Sequence, residues 1–258
     1  MTDTISASLY ICLRGLRFLL RQPFFIAVTL VQPLIWLLLF GQLFKRVTEL
    51  PGFATGSYIT YLTPGVVVMT ALFTCGWSGM ALVDDMDRGI MDRFLVAPVR
   101  RSALLIGILL YEAIVTLIQA LIIIGLGYAL GARFDGGIAS LSAMLIGTML
   151  LGATFASFSN AVALNVRQGE SVIALVTFLQ LPLTFMSTAF MAKQLTPHWI
   201  QIVERFNPVN WAVAIGRQTL STNVDWTFVG MHLAYLFALT LACLWLSVNA
   251  FRSYQRSI

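Results

Sequence analysis

The sequence predicts an all-α membrane protein with six transmembrane helices, an N-terminal interfacial helix and short outer re-entrant helices before the last span. Three observations support this fold class. Of 258 residues, 59% are hydrophobic and only 10% are charged, whereas a soluble domain needs more charge to keep its surface hydrated. The apolar residues form runs of about 20 or more, the length that crosses ~30 Å of hydrocarbon. Arginines collect in alternate gaps between these runs.

Six apolar runs are long enough to be spans. Their approximate bounds are 24–44, 58–83, 103–130, 138–164, 171–191 and 228–250. The first run follows three arginines and superficially resembles a signal peptide. However, it has 21 residues, it is followed by Lys45-Arg46, and no small-residue cleavage site is present. We therefore expect it to be retained as the first span of a single transmembrane domain, residues 1–258.

The basic residues in the gaps predict the orientation. One side holds ten of them: Arg14, Arg17, Arg21, Arg88, Arg93, Arg100, Arg101, Arg167, Arg252 and Arg256. The other side holds six: Lys45, Arg46, Arg133, Lys193, Arg205 and Arg217. Because basic residues are enriched in cytoplasmic loops, both termini are expected in the cytoplasm of a multi-pass inner-membrane protein. The net charge of +5 suits anionic lipid, and no basic patch with interleaved aromatics indicates nucleic acid.

Residues 5–22 predict an amphipathic helix at the inner interface. Arg14, Arg17 and Arg21 recur on one stripe of a helix, and four leucines occupy another. Gln22-Pro23 marks a break before the first span. The alternative is a plain extension of that span.

Small residues in spans three and four predict close helix packing. Span four contains Gly147, Gly152, Ala153, Ala156, Ser157, Ala161 and Ala163, and Gly127 and Gly131 form a GxxxG pair in span three. Such spacing lets helices approach closely, either within one bundle or between two copies. We expect packing within the bundle.

Residues 192–226 are too polar for a simple span, yet they contain Trp199, Trp211 and Trp226, half of all the tryptophans. Tryptophan concentrates at the membrane–water boundary. Pro197 can begin a helix, and Pro208 ends one near Asn207. The segment is therefore expected to form two short re-entrant helices at the outer leaflet.

The richest charged stretch covers residues 84–98, on the predicted cytoplasmic side. Its candidate docking residues are Asp84, Asp85, Asp87, Arg88, Asp92, Arg93 and Phe94. On a helix, Ile90, Met91 and Phe94 make an apolar ridge, which suits docking into a groove of another protein. The alternative is a solvated loop. A metal site at Asp84 and Asp87 is not expected, because convergent oxygen ligands and a turn-forming loop are absent.

Taken in order, these features resemble the membrane subunits of type-2 ATP-binding-cassette (ABC) exporters, in the drug-resistance and nodulation-factor branches. The resemblance rests on two motifs, Arg88-Gly89…Asp92-Arg93…Pro98 and Glu204-Arg205-Phe206-Asn207-Pro208. The resemblance covers essentially the whole chain. It implies that residues 84–98 form a cytoplasmic coupling helix in a cleft of the ATPase, and that 192–226 form the outer re-entrant helices. It also implies an amphiphilic cargo and two subunits, identical or paralogous, around a central pathway.

The ATPase is expected to be a separate chain, present in two copies. The sequence has no GxxxxGK[ST] loop, and its only lysines, Lys45 and Lys193, lie on the predicted outer side. No cofactor or metal is therefore expected in this chain, and ATP and Mg²⁺ belong to the partner. No catalytic residue is predicted either, because no nucleophile–base set or HExxH motif stands out.

Four polar residues within the spans are candidates for the substrate pathway: Gln32, Asn160, Gln180 and Glu112. Glu112 is the one acid well inside a predicted span, and intramembrane carboxylates are costly and often functional. An alternative function is therefore a secondary carrier that uses Glu112 and an ion gradient. Such a carrier should show inverted repeats, which the sequence lacks. A membrane scaffold with a docking helix is a further alternative.

Overall fold

The computed structural model describes residues 2–21, 23–44, 46, 57–91 and 101–256, and every regular element among them is helical. In chain order the helices are α1 (Thr2–Arg21), α2 (Pro23–Ile35, continuing through a π-helical turn at Trp36–Phe40 to Gly41–Leu43), α3 (Tyr58–Gly76), α4 (Ser78–Asp87), α5 (Arg101–Ala129), α6 (Gly137–Val166), α7 (Gly169–Phe185), α8 (His198–Val203), α9 (Pro208–Gln218) and α10 (Trp226–Arg256). The predicted all-α membrane fold is confirmed.

Four helical stretches are long and apolar enough to cross a bilayer. They are Tyr58–Asp87, Ala103–Ala129, Gly137–Val166 and Trp226–Tyr254, and they coincide with the second, third, fourth and sixth predicted spans. Two shorter apolar helices, Val28–Leu43 and Gly169–Phe185, occupy the first and fifth positions. The total of six spans stays a prediction.

The gaps that were predicted to share a side meet at one end of the bundle, which we call the inner end. There Arg167 lies over the ring of Tyr254, 4.6 Å from its centroid. One hydrophobic cluster, the inner cluster, joins the helix ends: Leu82, Val83, Met91, Leu104, Ala161, Ala163, Leu164, Val172, Val176, Ala250, Phe251 and Tyr254. At the opposite, outer end, the Gly136 amide donates to the Thr219 carbonyl at 2.9 Å.

Helix α1 packs along the first half of α5, and its placement at the inner interface stays a prediction. The Ser8 hydroxyl donates to the Ala103 carbonyl at 3.0 Å, and a Cβ on Gly107 would press against Ile11. An ion pair of 2.8 Å links Arg14 to Asp85. Both partners are partly exposed, so this pair contributes only about 0–1 kcal/mol, and the helix is held mainly by packing.

Helix α6 lies against α3 through its small residues, as predicted. A Cβ on Gly152 would lie 2.9 Å from the Cys75 sulfur, and one on Gly147 would lie 3.0 Å from Ile215. The two glycines of the GxxxG pair have separate roles. Gly127 contacts Thr63, whereas Gly131 ends α5 with a φ of 96°, a conformation that glycine adopts without steric cost.

Adding a methyl group at Gly127 tests this packing. A Cβ there would lie 2.8 Å from the Thr63 side chain, whereas the space around Gly125 is open. We expect Gly127→Ala to lower the free energy of unfolding by about 1–2 kcal/mol through overpacking. The matched Gly125→Ala should be neutral or slightly stabilising, because alanine favours helix. Thermal unfolding in detergent compares the two, and equal midpoints would contradict the expectation.

The fifth predicted span, 171–191, is too long. The helix ends at Phe185, although the sequence stays apolar to Met191. Residues 187–192 instead form a turn that packs against α3, where a Cβ on Gly65 would collide with the Ala189 backbone. The Tyr58 hydroxyl also donates to the Phe190 carbonyl at 2.9 Å. Because this turn is buried by protein, it can be apolar without being helical.

Candidate functional site

The first half of the predicted docking segment lies at the inner end. Asp84, Asp85 and Asp87 occupy the last turns of α4, continuous with the inner half of span two rather than on a separate helix. Arg88 follows, and Gly89 reverses the chain with a φ of 65°. Asp84, Asp87 and Arg88 are exposed. The remaining candidates, Asp92, Arg93 and Phe94, lie outside the described residues.

The predicted apolar ridge of this segment is wrong in one residue. Met91 is 1% exposed and belongs to the inner cluster, so it contacts its own bundle instead of a partner. Ile90 is half-buried. Met91 therefore anchors the segment to the helices that cross the membrane, and the charged residues before it face outward.

Three of the four pathway candidates meet around a break in span two. Helix α3 ends at Gly76, and α4 begins at Ser78, so Trp77 forms a turn between them. The Glu112 side chain is buried and lies beside the side chains of Ser78 and Cys75. These polar neighbours favour a structural role for the acid, and a role in transport stays a prediction.

Asn160 and Gln180 approach the same break from α6 and α7. The Ser78 hydroxyl donates to Asn160 Oδ1 at 3.3 Å, and Gln180 Nε2 donates to the Leu72 carbonyl at 2.7 Å. Asn160 Nδ2 and Gln180 Oε1 are buried without a hydrogen-bond partner among the described residues. Two polar groups thus remain unsatisfied beside the break, which is costly in a protein interior.

The fourth candidate, Gln32, lies apart, in a small open groove of about 30 Å³ between α2 and α3. The residues that line the groove are Thr29, Gln32, Pro33, Trp36, Val66, Met69, Thr70, Phe73 and Thr74. Two aromatic rings, a thioether, three hydroxyls and an amide therefore face one space. Such a mixture can contact both the apolar and the polar parts of a molecule at the mouth of the groove, although the groove itself has room for little more than a water molecule.

At the outer end, Asn207 ties the second short helix to the fifth apolar helix. Its Oδ1 accepts from the Val209 amide at 2.9 Å and caps α9, with Pro208 at the first helical position. Its Nδ2 donates to the carbonyls of Leu183 at 2.6 Å and Met186 at 3.2 Å. These carbonyls lie at the end of α7, where helices leave acceptors unsatisfied.

A charged cluster beside this cap was not predicted. Glu204 is 2% exposed and pairs with Lys193 at 2.9 Å. Arg217 lies over the Tyr61 ring, 4.0 Å from its centroid, and donates to the Thr188 carbonyl. Burial lowers the pKa of the Arg217 guanidinium below its usual value, but arginine stays a cation at neutral pH. Sequence analysis placed Lys193 and Arg217 among the outer basic residues and Glu204 in a motif, but it could not bring them together because they are far apart in the chain.

The short helix α8 keeps an apolar face open. Trp199 is 56% exposed, and Ile202, Val203 and Phe206 are exposed beside it. An exposed tryptophan among apolar neighbours is typical of a surface at the membrane–water boundary. The depth of this segment in a bilayer stays a prediction.

Comparison with known proteins identifies a family. The model of the ABC-2 type transporter family matches residues 8–221. The matched stretch includes the groove, the break in span two, the Asn207 cap and Arg217.

Transport permeases are among the similar proteins. The putative transport permease ycf38 of Cyanophora paradoxa is 30% identical over 212 residues, 81% of this chain and 71% of the relative. The daunorubicin resistance ABC transporter permease protein DrrB1 of Streptomyces coeruleorubidus is 26% identical over 251 residues, which cover 96% of this chain and 87% of the relative. The probable doxorubicin resistance ABC transporter permease protein DrrC of Mycobacterium tuberculosis is 30% identical over 156 residues, which cover 60% of this chain and 56% of the relative.

Proposed function

Because this chain belongs to the ABC-2 type transporter family, we propose that it is the permease subunit of an exporter driven by ATP hydrolysis on a separate subunit. The observation that carries the proposal is the family match over residues 8–221. The absence of the usual phosphate-binding loop from this sequence supports an ATPase on a separate subunit. The permease itself catalyses no bond chemistry.

The ATPase docks on residues 84–98, and two ATPase copies serve two permease copies or a permease and its paralogue. The exposed charges of Asp84, Asp87 and Arg88 support a polar contact at the inner end. Both termini then lie in the cytoplasm, as the ten basic residues on that side favour. ATP binding pushes the docking segments together and selects between two packings of the bundle.

The cargo is an amphiphilic small molecule that first contacts the chain at the mouth of the groove between α2 and α3, which must widen to admit it. Trp36 and Phe73 offer faces for a flat ring system, and Gln32 offers an amide for its polar edge. Two relatives carry daunorubicin or doxorubicin resistance in their names, and these anthracyclines have both features. The proposal for this chain extends to that chemical class and not to a particular drug.

Co-purification tests the docking site. The chain is expressed with ABC ATPases from the same genome, and we expect one to co-purify stoichiometrically. The double variant Asp87→Arg/Arg88→Asp keeps the net charge but should lose the ATPase. The matched control is Arg133→Asp/Asp135→Arg, which inverts two exposed charges at the outer end. If the ATPase fails to co-purify with both double variants, or co-purifies with both, the result argues against this docking site.

Export is measured in proteoliposomes with doxorubicin as a fluorescent probe. We expect transport that requires ATP and that falls in Trp36→Ala, because the groove loses an aromatic face. A monodisperse chain with no ATPase partner, and with transport that follows a proton gradient alone, would overturn the proposal. Glu112 would then be the residue to test.

A further inference from the structure

The break at Trp77 divides span two into a half that lines the groove and a half that ends in the docking segment. Helix α3, before the break, lines the groove with Phe73 and Thr74, which lie only three and two residues before Gly76. Helix α4, after the break, ends in the exposed acids of the docking segment. A movement of the docking segment can therefore reach the groove along span two, through the turn at Trp77.

The backbone at this turn has lost part of its helical bonding. In an unbroken helix, the Gly76 carbonyl accepts from the amide of Met80, four residues on. Here the Met80 amide donates to the Trp77 carbonyl at 3.0 Å instead. A buried carbonyl without its usual partner needs another donor, and inside a bilayer water cannot supply one.

Ser159 of α6 supplies that donor. Its hydroxyl donates to the Gly76 carbonyl at 2.5 Å and accepts from the Gly79 amide at 3.0 Å. One side chain thus bonds the last residue of α3 and the second residue of α4. Ser159 is fully buried, so these bonds are shielded from solvent.

Glycines make the contact possible. A Cβ on Gly79 would collide with the Ser159 carbonyl, and a Cβ on Gly76 would collide with the Gln180 amide. The backbone of span two therefore lies directly against α7 at Gly76, before the turn, and against α6 at Gly79, after it. Trp77 itself is half-exposed, so no tight packing of its side chain fixes the angle between the two halves.

We propose that the turn at Trp77 is the joint through which the docking segment moves the groove, and that Ser159 is the positioning residue that holds this joint. The proposal rests on the proposed function, since it takes residues 84–98 as the site where the ATPase acts. Asn160 Nδ2 and Gln180 Oε1, both buried without a partner among the described residues, can bond the groups that are released when the joint moves.

Hydrogen–deuterium exchange tests the joint in the complex with its ATPase, in lipid nanodiscs. The measured peptide covers residues 72–83, with and without ATP and vanadate. Ser159→Ala removes the acceptor of the Gly79 amide, so exchange without nucleotide should rise about tenfold, as for the loss of one buried hydrogen bond. The matched control is Ser157→Ala. It removes a hydroxyl that is equally buried but has no partner among the described residues, and it should leave exchange unchanged.

A second measurement needs no variant. In the wild-type complex, nucleotide trapping should raise exchange of the 72–83 peptide while peptides from the middle of α6 stay unchanged. This comparison decides the question even if Ser159→Ala does not fold. Equal exchange of the 72–83 peptide in the free and trapped states would overturn the proposal.

Doxorubicin export separates this proposal from the proposed function. We expect Ser159→Ala to bind the ATPase as the wild type does, but to export about tenfold less probe per ATP hydrolysed. Wild-type export combined with wild-type exchange in Ser159→Ala would reject the joint and leave the exporter function standing. Failure of the wild-type chain to bind an ATPase would reject both.

Discussion

Replacing Asn207 by alanine is expected to lower the thermal unfolding midpoint, Tm, by about 6–12 °C, because a loss of ~3 kcal/mol shifts Tm by ~2–4 °C per kcal/mol in a chain of this size. The lost cap of α9 accounts for about 1 kcal/mol. The two bonds to the carbonyls of Leu183 and Met186 account for about 1 kcal/mol each, since those acceptors then lack a donor. Thermal unfolding in detergent measures the sum.

Two further variants divide this effect. Asn207→Ser retains an acceptor for the α9 cap but is too short to bridge to α7, so it should recover about 1 kcal/mol. Asn223→Ala removes an exposed asparagine from the same outer segment and should change stability by less than ~0.5 kcal/mol. If Asn207→Ala behaves like Asn223→Ala, the tether to α7 does not stabilise the outer segment.

The second large effect is expected for Arg217→Met, which removes the cation from the outer cluster. The buried Glu204 then keeps only Lys193 as a counter-charge, and the Tyr61 ring loses its cation. A desolvated cation–π contact is worth about 2 kcal/mol, and the lost bond from Arg217 to the Thr188 carbonyl costs about 1 kcal/mol. We therefore expect a loss of about 3 kcal/mol in the same unfolding measurement.

Adding Glu204→Gln to Arg217→Met should cost less than Glu204→Gln costs in the wild type, because the carboxylate then no longer gains from the charge of Arg217. A double-mutant cycle gives the coupling between the two residues. Arg205→Met is the control, since Arg205 is an exposed arginine of the same outer segment. Strict additivity of the Arg217 and Glu204 changes would show that the two charges do not interact.

The sequence was most informative where local physics determines structure. Hydropathy predicted the long helices to within a few residues, since a backbone in hydrocarbon must satisfy its hydrogen bonds internally. Pro208 was predicted to end a helix near Asn207, and the helical turn Glu204–Phe206 ends there. The start of α9 at Pro208, with Asn207 as its cap, was not predicted. The small residues of span four likewise predicted close packing, and Gly152 contacts Cys75.

The sequence was least informative where a residue contacts another residue that is far away in the chain. The turn at Trp77 has no proline, and its main stabilising contact comes from Ser159, about 80 residues later. The pattern around Met91 predicted an apolar ridge but not which surface the ridge contacts. The hydropathy pattern also led to a predicted fifth span that was too long, up to Met191. An apolar turn buried by protein has the same hydropathy as an apolar helix, so the pattern cannot distinguish them.

The sequence by itself determined that this chain is an all-helical membrane protein, because the length of the apolar runs and the low charge are sufficient for that conclusion. The motifs that resemble type-2 ABC exporters added the permease family. Only the tertiary structure decided how the polar residues combine. Glu112, Asn160 and Gln180 meet at one break although they belong to three different helices, and Gln32 lies apart from them. The reason is that helix periodicity specifies which face a residue occupies, whereas the neighbour on that face depends on how the whole bundle packs.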